Sequence, residues 1–326
     1  MTQLRHARTR RFLPLALLLP TAALITAGPS LASEGAGDTR PPERAKPTVV
    51  LVHGAWADAS GWDEVSESLQ AKGYPVVATA NPLRGLSGDS AYLAARLKAI
   101  KGPIVLVGHS YGGAVITNAA TGNPAVKSLV YIAGFAPDKG EETLSLAARF
   151  PGSRLTDDPS APVPTAVDAV PIGTGPTDVD LYIKPDKFGE VFLSNRLDAT
   201  RTAVLAASQR PITPLAGAEP SGTPAWKTIP SWYLVATDDR TIGTENLRYM
   251  ARRAGSTTVE VDAPHAVMET DPGAITDLIL RAAHDSGPGL ARTGMSTQST
   301  ALAGAALLAL VTGTALVLGG RRSKQG

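Results

Sequence analysis

The sequence contains no cysteine among its 326 residues. Disulfide bonds therefore contribute nothing to its stability, and a thiol nucleophile or a cysteine-based metal site is excluded. The chain also lacks a strong charge of either sign, because 31 lysines and arginines are balanced by 29 acidic residues. We see no basic stripe, so the sequence gives no support for nucleic-acid binding. Only five histidines are present, which narrows the search for a catalytic base.

The N-terminal residues 1–32 show the pattern of a secretory signal peptide. A cluster of arginines precedes the apolar stretch Phe12–Ala27, and small residues follow this stretch up to Ala32. A membrane span is the alternative, but Pro14 and Pro20 interrupt the apolar run and a polar, Gly/Pro-rich stretch follows it. We therefore expect export, with cleavage by signal peptidase after Ala32.

The C-terminal region combines three segments in a defined order. A polar spacer, 286–300, is followed by an almost wholly apolar segment, 301–320, and by the basic tail 321–326. The apolar segment is long enough to cross most of a bilayer core, and the basic tail would then stay on the cytoplasmic side. The tail can therefore stop in a membrane and leave the preceding domain outside the cell.

The spacer also carries the pentapeptide Leu-Ala-Arg-Thr-Gly at 290–294. Together with the apolar segment and the basic tail, it resembles the cell-wall sorting signal of Gram-positive surface proteins, which a sortase cuts between Thr and Gly. This resemblance implies cleavage between Thr293 and Gly294 and covalent attachment of Thr293 to peptidoglycan. We therefore expect a secreted, cell-wall-anchored protein, with the membrane anchor as the alternative.

Between the two ends, the sequence predicts an α/β domain. Residues 33–47 have few apolar side chains and are predicted to form a flexible leader. From Thr48 onward, apolar and β-branched runs typical of buried strands alternate with helical patterns, which favours a mostly parallel, doubly wound sheet. Strands are predicted at 48–52, 75–79, 104–107, 128–133, 231–236 and 257–261. Active residues of such a sheet lie at the C-terminal ends of its strands.

The alternation of strands and helices breaks within residues 138–226. This segment has a Pro- and Gly-rich portion and two short helical patterns, at 186–193 and 197–208. Its apolar side chains favour a folded element over a disordered loop. We interpret it as a helical cap that is inserted into a core made of 48–137 and 227–285.

A candidate nucleophile, Ser110, lies in the pentapeptide Gly108–Gly112, which reads G-H-S-Y-G. The apolar run Ile104–Val107 directly precedes it, and a helical pattern follows. This order is typical of a nucleophile elbow, in which small residues allow a sharp turn between a strand and a helix, so that the serine hydroxyl is exposed.

The candidate base is His265. A serine hydroxyl needs a neighbouring base, usually a histidine that a carboxylate orients. His265 follows the last predicted strand, in a loop that can bring the imidazole over Ser110. The other histidines lie in the signal peptide, in turn motifs or in the terminal helix: His6, His53, His109 and His284.

The acid is expected at the end of the preceding strand, where Asp238 and Asp239 are adjacent. Adjacent residues that leave a strand point to different sides, so only one of them can face the histidine. We favour Asp239, because it lies three residues after the small strand-end residue Ala236. Asp238 remains the alternative, and the residue that is not used is expected to be a solvated or capping carboxylate.

Acyl transfer also needs hydrogen-bond donors that are directed at the developing oxyanion. The backbone N–H of Tyr111, directly after the nucleophile, is one predicted donor. The N–H of Ala55, in the sharp turn after the first strand, is the second. Trp56 and His109 are predicted as residues of the substrate pocket.

Residues Val49–Ala283 resemble the α/β-hydrolase superfamily, in particular small esterases that share V-H-G-A-W with plant methyl esterases and hydroxynitrile lyases. The matching motifs are Val52–Trp56, Gly108–Gly113, Asp239 and His265. The resemblance implies a Ser/His/Asp hydrolase with a helical cap and no cofactor. We expect hydrolysis of a small-molecule carboxylic ester. The alternatives are an amidase or lyase on the same triad, or a catalytically silent surface-binding protein.

Overall fold

The computed structural model describes residues 45–285. The predicted signal peptide, the leader up to residue 44, the sorting motif with Thr293 and Gly294, the apolar segment 301–320 and the basic tail lie outside these residues. Within residues 45–285, none of the helices has the length and apolar character needed to cross a membrane.

The described strands include every strand that the sequence predicted. They are β1 (Thr48–Val52), β2 (Val76–Thr79), β3 (Ile104–His109), β4 (Val126–Ile132), β5 (Val167–Pro171), β6 (Val179–Ile183), β7 (Ser231–Ala236) and β8 (Thr257–Val261). Six of them form one sheet in the order β2-β1-β3-β4-β7-β8, with each neighbouring pair parallel. All residues of β3 and β7 are buried. Since successive side chains of a strand point to opposite faces, both faces of the sheet are covered at its centre.

Helices cover the sheet and follow its strands. They are α1 (Asp63–Ala71), α2 (Leu86–Lys98), α3 (Tyr111–Ala119), α4 (Thr143–Ala147), α5 (Pro185–Leu193), α6 (Ala199–Ser208), α7 (Pro214–Ala218), α8 (Thr244–Arg253) and α9 (Pro272–Asp285). Helix α1 packs against α9, and α2 packs against α3. The apolar side chains of these helices recur at helical spacing, as in α2, where Leu93 and Leu97 are buried.

The sequence predicted a helical cap, but the inserted segment also contains β-strands. It contains an antiparallel hairpin in which β5 pairs with β6, from Val167 opposite Ile183 to Pro171 opposite Val179. The turn between the two strands is closed by Ile172 N–H, which donates to the carbonyl oxygen of Asp178. The sequence did not predict these two short strands, because the turn between them is rich in Pro and Gly and the whole stretch resembles a loop. The helices predicted at 186–193 and 197–208 are present as α5 and α6, and α6 begins where the Asp198 side chain caps it.

The strand order creates a crevice at the C-terminal edge of the sheet. From β1 the chain proceeds outward to β2 and then returns to β3 on the other side of β1. Ligands of doubly wound sheets bind at such a reversal, beyond the carboxyl ends of the strands. Ala55 follows β1 and Ser110 follows β3 at this position, while the neighbouring pair β7 and β8 leads to Asp239 and His265.

Candidate active site

Ser110 lies in a strained turn between β3 and α3. Its φ of 54° and ψ of −126° belong to a conformation that L-residues rarely adopt. The turn is so tight that a Cβ on Gly108 would lie 2.5 Å from the carbonyl oxygen of Gly112, and one on Gly113 would lie 2.5 Å from that of Phe135. Glycine is therefore required on both sides of the serine.

The structure brings the three predicted triad residues together. The Nε2 atom of His265 lies 2.8 Å from the Oγ atom of Ser110, and its Nδ1 atom lies 2.6 Å from Oδ2 of Asp239. All three residues are buried, and the side chains of His265 and Asp239 are fully shielded from solvent. With Nδ1–H donating to Asp239, the Nε2 lone pair is available to accept the serine proton.

The second carboxylate oxygen of Asp239 is held by the backbone. Its Oδ1 accepts N–H groups from Thr241 at 2.9 Å, Ile242 at 2.7 Å and Gly243 at 3.2 Å. Burial alone would raise the pKa of Asp239, but the attraction of His265 and these hydrogen bonds outweigh it, so that the pKa is lowered. The acid is thus ionised and fixed in orientation beside the imidazole.

Asp238, the alternative acid, points to a different partner. Its carboxylate accepts hydrogen bonds from Arg196 at 3.1 Å and from Arg240 at 3.0 Å. Its side chain is 25% exposed, in contrast to the shielded side chain of Asp239. The two adjacent carboxylates therefore diverge, as expected for residues that leave a strand.

His109 does not line the pocket, contrary to the sequence-based prediction. It is fully buried beneath the site, where its Nε2–H donates to the carbonyl oxygen of His265 at 3.0 Å. Burial and the neighbouring His265 lower the pKa of His109 to about 3. The last residue of β3 directs its side chain into the core, between the rings of Trp62 and Phe192. His109 is therefore a neutral support for the loop that carries His265.

Two backbone N–H groups are available beside Ser110. Tyr111 is the first residue of α3, where an N–H has no acceptor within the helix. Within the described residues, Ala55 N–H donates to no protein acceptor, whereas the next amide, of Trp56, donates to the carbonyl oxygen of Arg210. The loop of Ala55 approaches closely, since a Cβ on Gly54 would lie 2.5 Å from the Cβ of Ser110. The two predicted oxyanion donors thus lie in segments next to the nucleophile and have no acceptor within the described protein; their role as an oxyanion hole stays a prediction.

Sequence reasoning missed two buried polar side chains that support this hole. His53 donates from Nδ1–H to the carbonyl oxygen of Gly54 and accepts the N–H of Asn81 on Nε2, while burial lowers its pKa. Asp89 accepts the hydroxyl of Tyr111 at 2.8 Å. Asp89 lies four residues before Leu93, on the buried face of α2, and this spacing was the available signal.

A cavity of about 520 Å³ adjoins Ser110. The core contributes Ala55, Trp56 and Tyr111 to its wall, so that Trp56 occupies the predicted pocket position. The inserted segment contributes mostly apolar residues, among them Leu155, Val167 and Leu181. Among the residues of the described part that line it, Asp158 alone carries a formal charge. Cavities of this size accommodate drug-sized molecules.

Within residues 45–285, no three or more His, Asp or Glu side chains are arranged so that they could hold a metal ion. The described site instead offers a nucleophile, a base, an acid and two amide donors, which are the groups that acyl transfer to a serine requires.

Comparison with known proteins gives a curated relative and similar structures. The chain is 34% identical over 110 residues to a carbendazim hydrolyzing esterase of Nocardioides sp. (strain SG-4G), a match that spans 30% of this chain and only 46% of that esterase. A pyrethroid hydrolase from Sphingobium faniae JZ-2 is 20% identical with a TM-score of 0.57, over 73% of this chain and 97% of that one. Polyneuridine aldehyde esterase is 19% identical with a TM-score of 0.60, over 72% and 98%.

These structures share the fold at low identity, and a family model adds the sequence evidence. The model of the alpha/beta hydrolase family matches residues 49–278, which include Ser110, Asp239 and His265. The chain therefore belongs to the alpha/beta hydrolase family.

Proposed function

We propose that the protein is a carboxylic-ester hydrolase that acts through an acyl-enzyme on Ser110. The observation that carries the proposal is the buried chain of hydrogen bonds from Asp239 through His265 to Ser110. In this role His265 takes the Oγ proton while the serine attacks the ester carbonyl, and then gives the proton to the leaving alcohol. A water molecule activated by the same imidazole releases the acid and restores the serine.

The cavity wall supports a neutral, apolar substrate. Asp158 is the one formally charged residue along the described wall, and it repels an anionic ligand rather than attracting it. We expect aryl esters of uncharged apolar acids to be hydrolysed at least 10-fold more efficiently than hemiesters that carry a free carboxylate, as kcat/KM values for a matched pair measure. Equal efficiency for both would contradict this substrate class.

Replacement of the nucleophile tests the proposed reaction. Ser110→Ala should abolish hydrolysis of short-chain aryl esters while the circular dichroism spectrum stays unchanged, because the alanine removes only the attacking oxygen. Ser208→Ala, at the exposed end of α6, is the matched control and should retain full activity. Full turnover by Ser110→Ala would rule out the proposal.

Substrate panels separate ester hydrolysis from the alternative reactions. The relative described as a carbendazim hydrolyzing esterase supports an ester substrate. Assays with matched ester, amide and cyanohydrin substrates should show turnover of the ester first. Turnover of amide or cyanohydrin alone would instead favour an amidase or a lyase, and no turnover with an unreactive Ser110 would favour a silent binding protein.

We further propose that the enzyme works outside the cell, attached to the wall through Thr293. The supporting features are the signal-peptide pattern and the order of sorting motif, apolar segment and basic tail in the sequence. Mass spectrometry of protein released from the wall should find a C-terminal peptide that ends at Thr293 and is joined to a peptidoglycan fragment. An intact peptide that continues through Arg321 would favour the membrane anchor instead.

A further inference from the structure

Trp56 has a backbone conformation that bulky residues rarely adopt. Its φ is 59°, in the left-handed region, where the surrounding structure has to hold a tryptophan in place. Trp56 directly follows Ala55, one of the two residues predicted to supply an oxyanion donor. The direction of the Ala55 loop therefore depends on what holds Trp56.

Two carbonyl groups of the cap hold Trp56. Its backbone N–H donates to the carbonyl oxygen of Arg210 at 2.9 Å, and its indole Nε1–H donates to that of Leu181 at 3.0 Å. The indole ring also lies edge-on to Phe192, with the ring centroids 6.5 Å apart. Every one of these contacts comes from the inserted segment, and Leu181 belongs to strand β6.

Strand β6 is also connected, through two intervening residues, to the side chain of Tyr111, whose amide is the second predicted donor. The hydroxyl of Tyr111 donates to Asp89, which in turn accepts the backbone N–H of Arg84 at 3.1 Å. The guanidinium of Arg84 is paired with Asp180, the neighbour of Leu181 in β6. Trp56, which follows Ala55, and the side chain of Tyr111 are thus both connected by hydrogen bonds to one short strand of the cap.

We propose that Trp56 is a positioning residue through which strand β6 of the cap sets the oxyanion hole. This inference rests on the proposed esterase function of the same site. Val179 and Leu181 of β6 also line the cavity, so a substrate that fills the cavity contacts the strand that orients the oxyanion loop. Contacts that are remote from the ester bond then contribute to the catalytic rate rather than to substrate affinity alone.

The kinetic test compares two tryptophans with the same kind of hydrogen bond. Trp56→Phe keeps an aromatic ring but removes the indole donor. Trp226→Phe is the matched control, since the indole N–H of Trp226 donates to the carbonyl oxygen of Pro137 at 3.0 Å, away from Ser110. We expect Trp56→Phe to lower kcat by about 3- to 10-fold, because one hydrogen bond is lost. KM should change by less than about 2-fold. The control should stay within about 2-fold of the wild type in both constants.

Inhibitor binding separates positioning from simple contact with substrate. A trifluoromethyl ketone adds to Ser110 and places an oxyanion in the hole, whereas the matching secondary alcohol only fills the cavity. The inhibition constant of the ketone should rise in Trp56→Phe by the factor that kcat/KM falls, while that of the alcohol should change by less than about 2-fold, as KM does. Equal weakening of both inhibitors, or a Trp56→Phe enzyme that behaves like Trp226→Phe, would overturn the inference.

Two further measurements apply if Trp56→Phe does not fold or if the wild type hydrolyses no ester. If Trp56→Phe fails to fold, Asp180→Asn loosens β6 from the Arg84 side and should lower kcat in the same way; an unchanged kcat would overturn the role of β6. If the wild type hydrolyses no ester, the proposed function fails, but the rate at which a fluorophosphonate labels Ser110 still reports on the hole. Slower labelling of Trp56→Phe than of Trp226→Phe supports the inference, and equal rates overturn it.

Discussion

The two adjacent aspartates show how single residues acquire different roles from their surroundings. Asp239 accepts His265 and three backbone N–H groups in a buried loop, whereas its neighbour Asp238 pairs with Arg196 and Arg240 near the surface. The sequence favoured Asp239 by spacing but left Asp238 open. The choice depends on the turn formed by Thr241–Gly243, whose backbone geometry no residue pattern specifies.

Substitution of each aspartate tests this division of roles. Asp239→Asn should lower kcat by about 10³- to 10⁴-fold, because the amide no longer stabilises the imidazolium or fixes the tautomer of His265. Asp238→Asn is the matched control and should stay within about 3-fold of the wild type, because an exposed ion pair contributes little. Steady-state kinetics on an aryl ester measure both values. A larger loss from Asp238→Asn than from Asp239→Asn would reverse the assignment.

His109 shows a residue role that the sequence could not specify. Its position beside Ser110 suggested the pocket, but the backbone direction at the end of β3 sends its ring into the core. The sequence motif predicts the turn but does not specify the direction in which each of its side chains points. The same limit applies to Asp89, whose partner Tyr111 lies in another helix.

Among the elements, the turn from β3 into α3 is the one that the sequence defines best. An apolar strand, the G-x-S-x-G pentapeptide and a following helix each indicate the same local geometry, and the structure contains all three. The hairpin β5–β6 was missed for the opposite reason. Its strands are short and one is largely exposed, so that neither burial nor alternation distinguishes them from a loop.

Two glycine substitutions test the packing of the elbow. Gly113→Ala should destabilise the protein by about 1–3 kcal/mol, because the added Cβ would lie 2.5 Å from the carbonyl oxygen of Phe135. Gly88→Ala is the matched control, since nothing lies within 4 Å of a Cβ at this position in α2, and alanine there should stabilise by about 0.5–1 kcal/mol. Urea unfolding of both variants gives the free energies. Equal stability of the two would show that the elbow relaxes around a methyl group.

At the scale of the whole molecule, the cap and the core form one site rather than a lid above a complete one. The core supplies the triad and the two amides, while the cap supplies most of the cavity wall and the carbonyl groups that hold Trp56. The core was predictable from strand alternation and motifs. The cap was not, because its contacts depend on how a Pro- and Gly-rich segment packs against the core.

Buried histidines give the whole fold a predictable response to acid. The folded-state pKa of His109 is about 3, below the ordinary value of 6.5, so the unfolded chain takes up the proton first as the pH falls. The contribution of His109 to the free energy of unfolding is therefore present above pH 6.5 and is lost towards pH 3, by about 1.4 kcal/mol per pH unit. Burial also lowers the pKa of His53, so its contribution to the free energy of unfolding likewise decreases as the pH falls.

Removal of the buried imidazole tests this response. His109→Gln should show a weaker dependence of unfolding free energy on pH between 6 and 4.5, by about 1.4 kcal/mol per pH unit. His284→Gln, on an exposed side chain of α9, is the control and should follow the wild type. Denaturant titrations at several pH values supply the comparison. Parallel curves for wild type and His109→Gln would exclude a neutral His109 in the folded state.

Labelling with a fluorophosphonate, followed by peptide mapping, shows whether His265 activates Ser110 for covalent acyl transfer. An activated serine reacts, whereas an ordinary serine hydroxyl does not. If His265 provides this activation, the wild type should be modified at Ser110 alone, Ser110→Ala should not be modified, and labelling should be at least about 100-fold slower in His265→Ala. Modification of another residue, or equal labelling rates with and without the imidazole of His265, would contradict it.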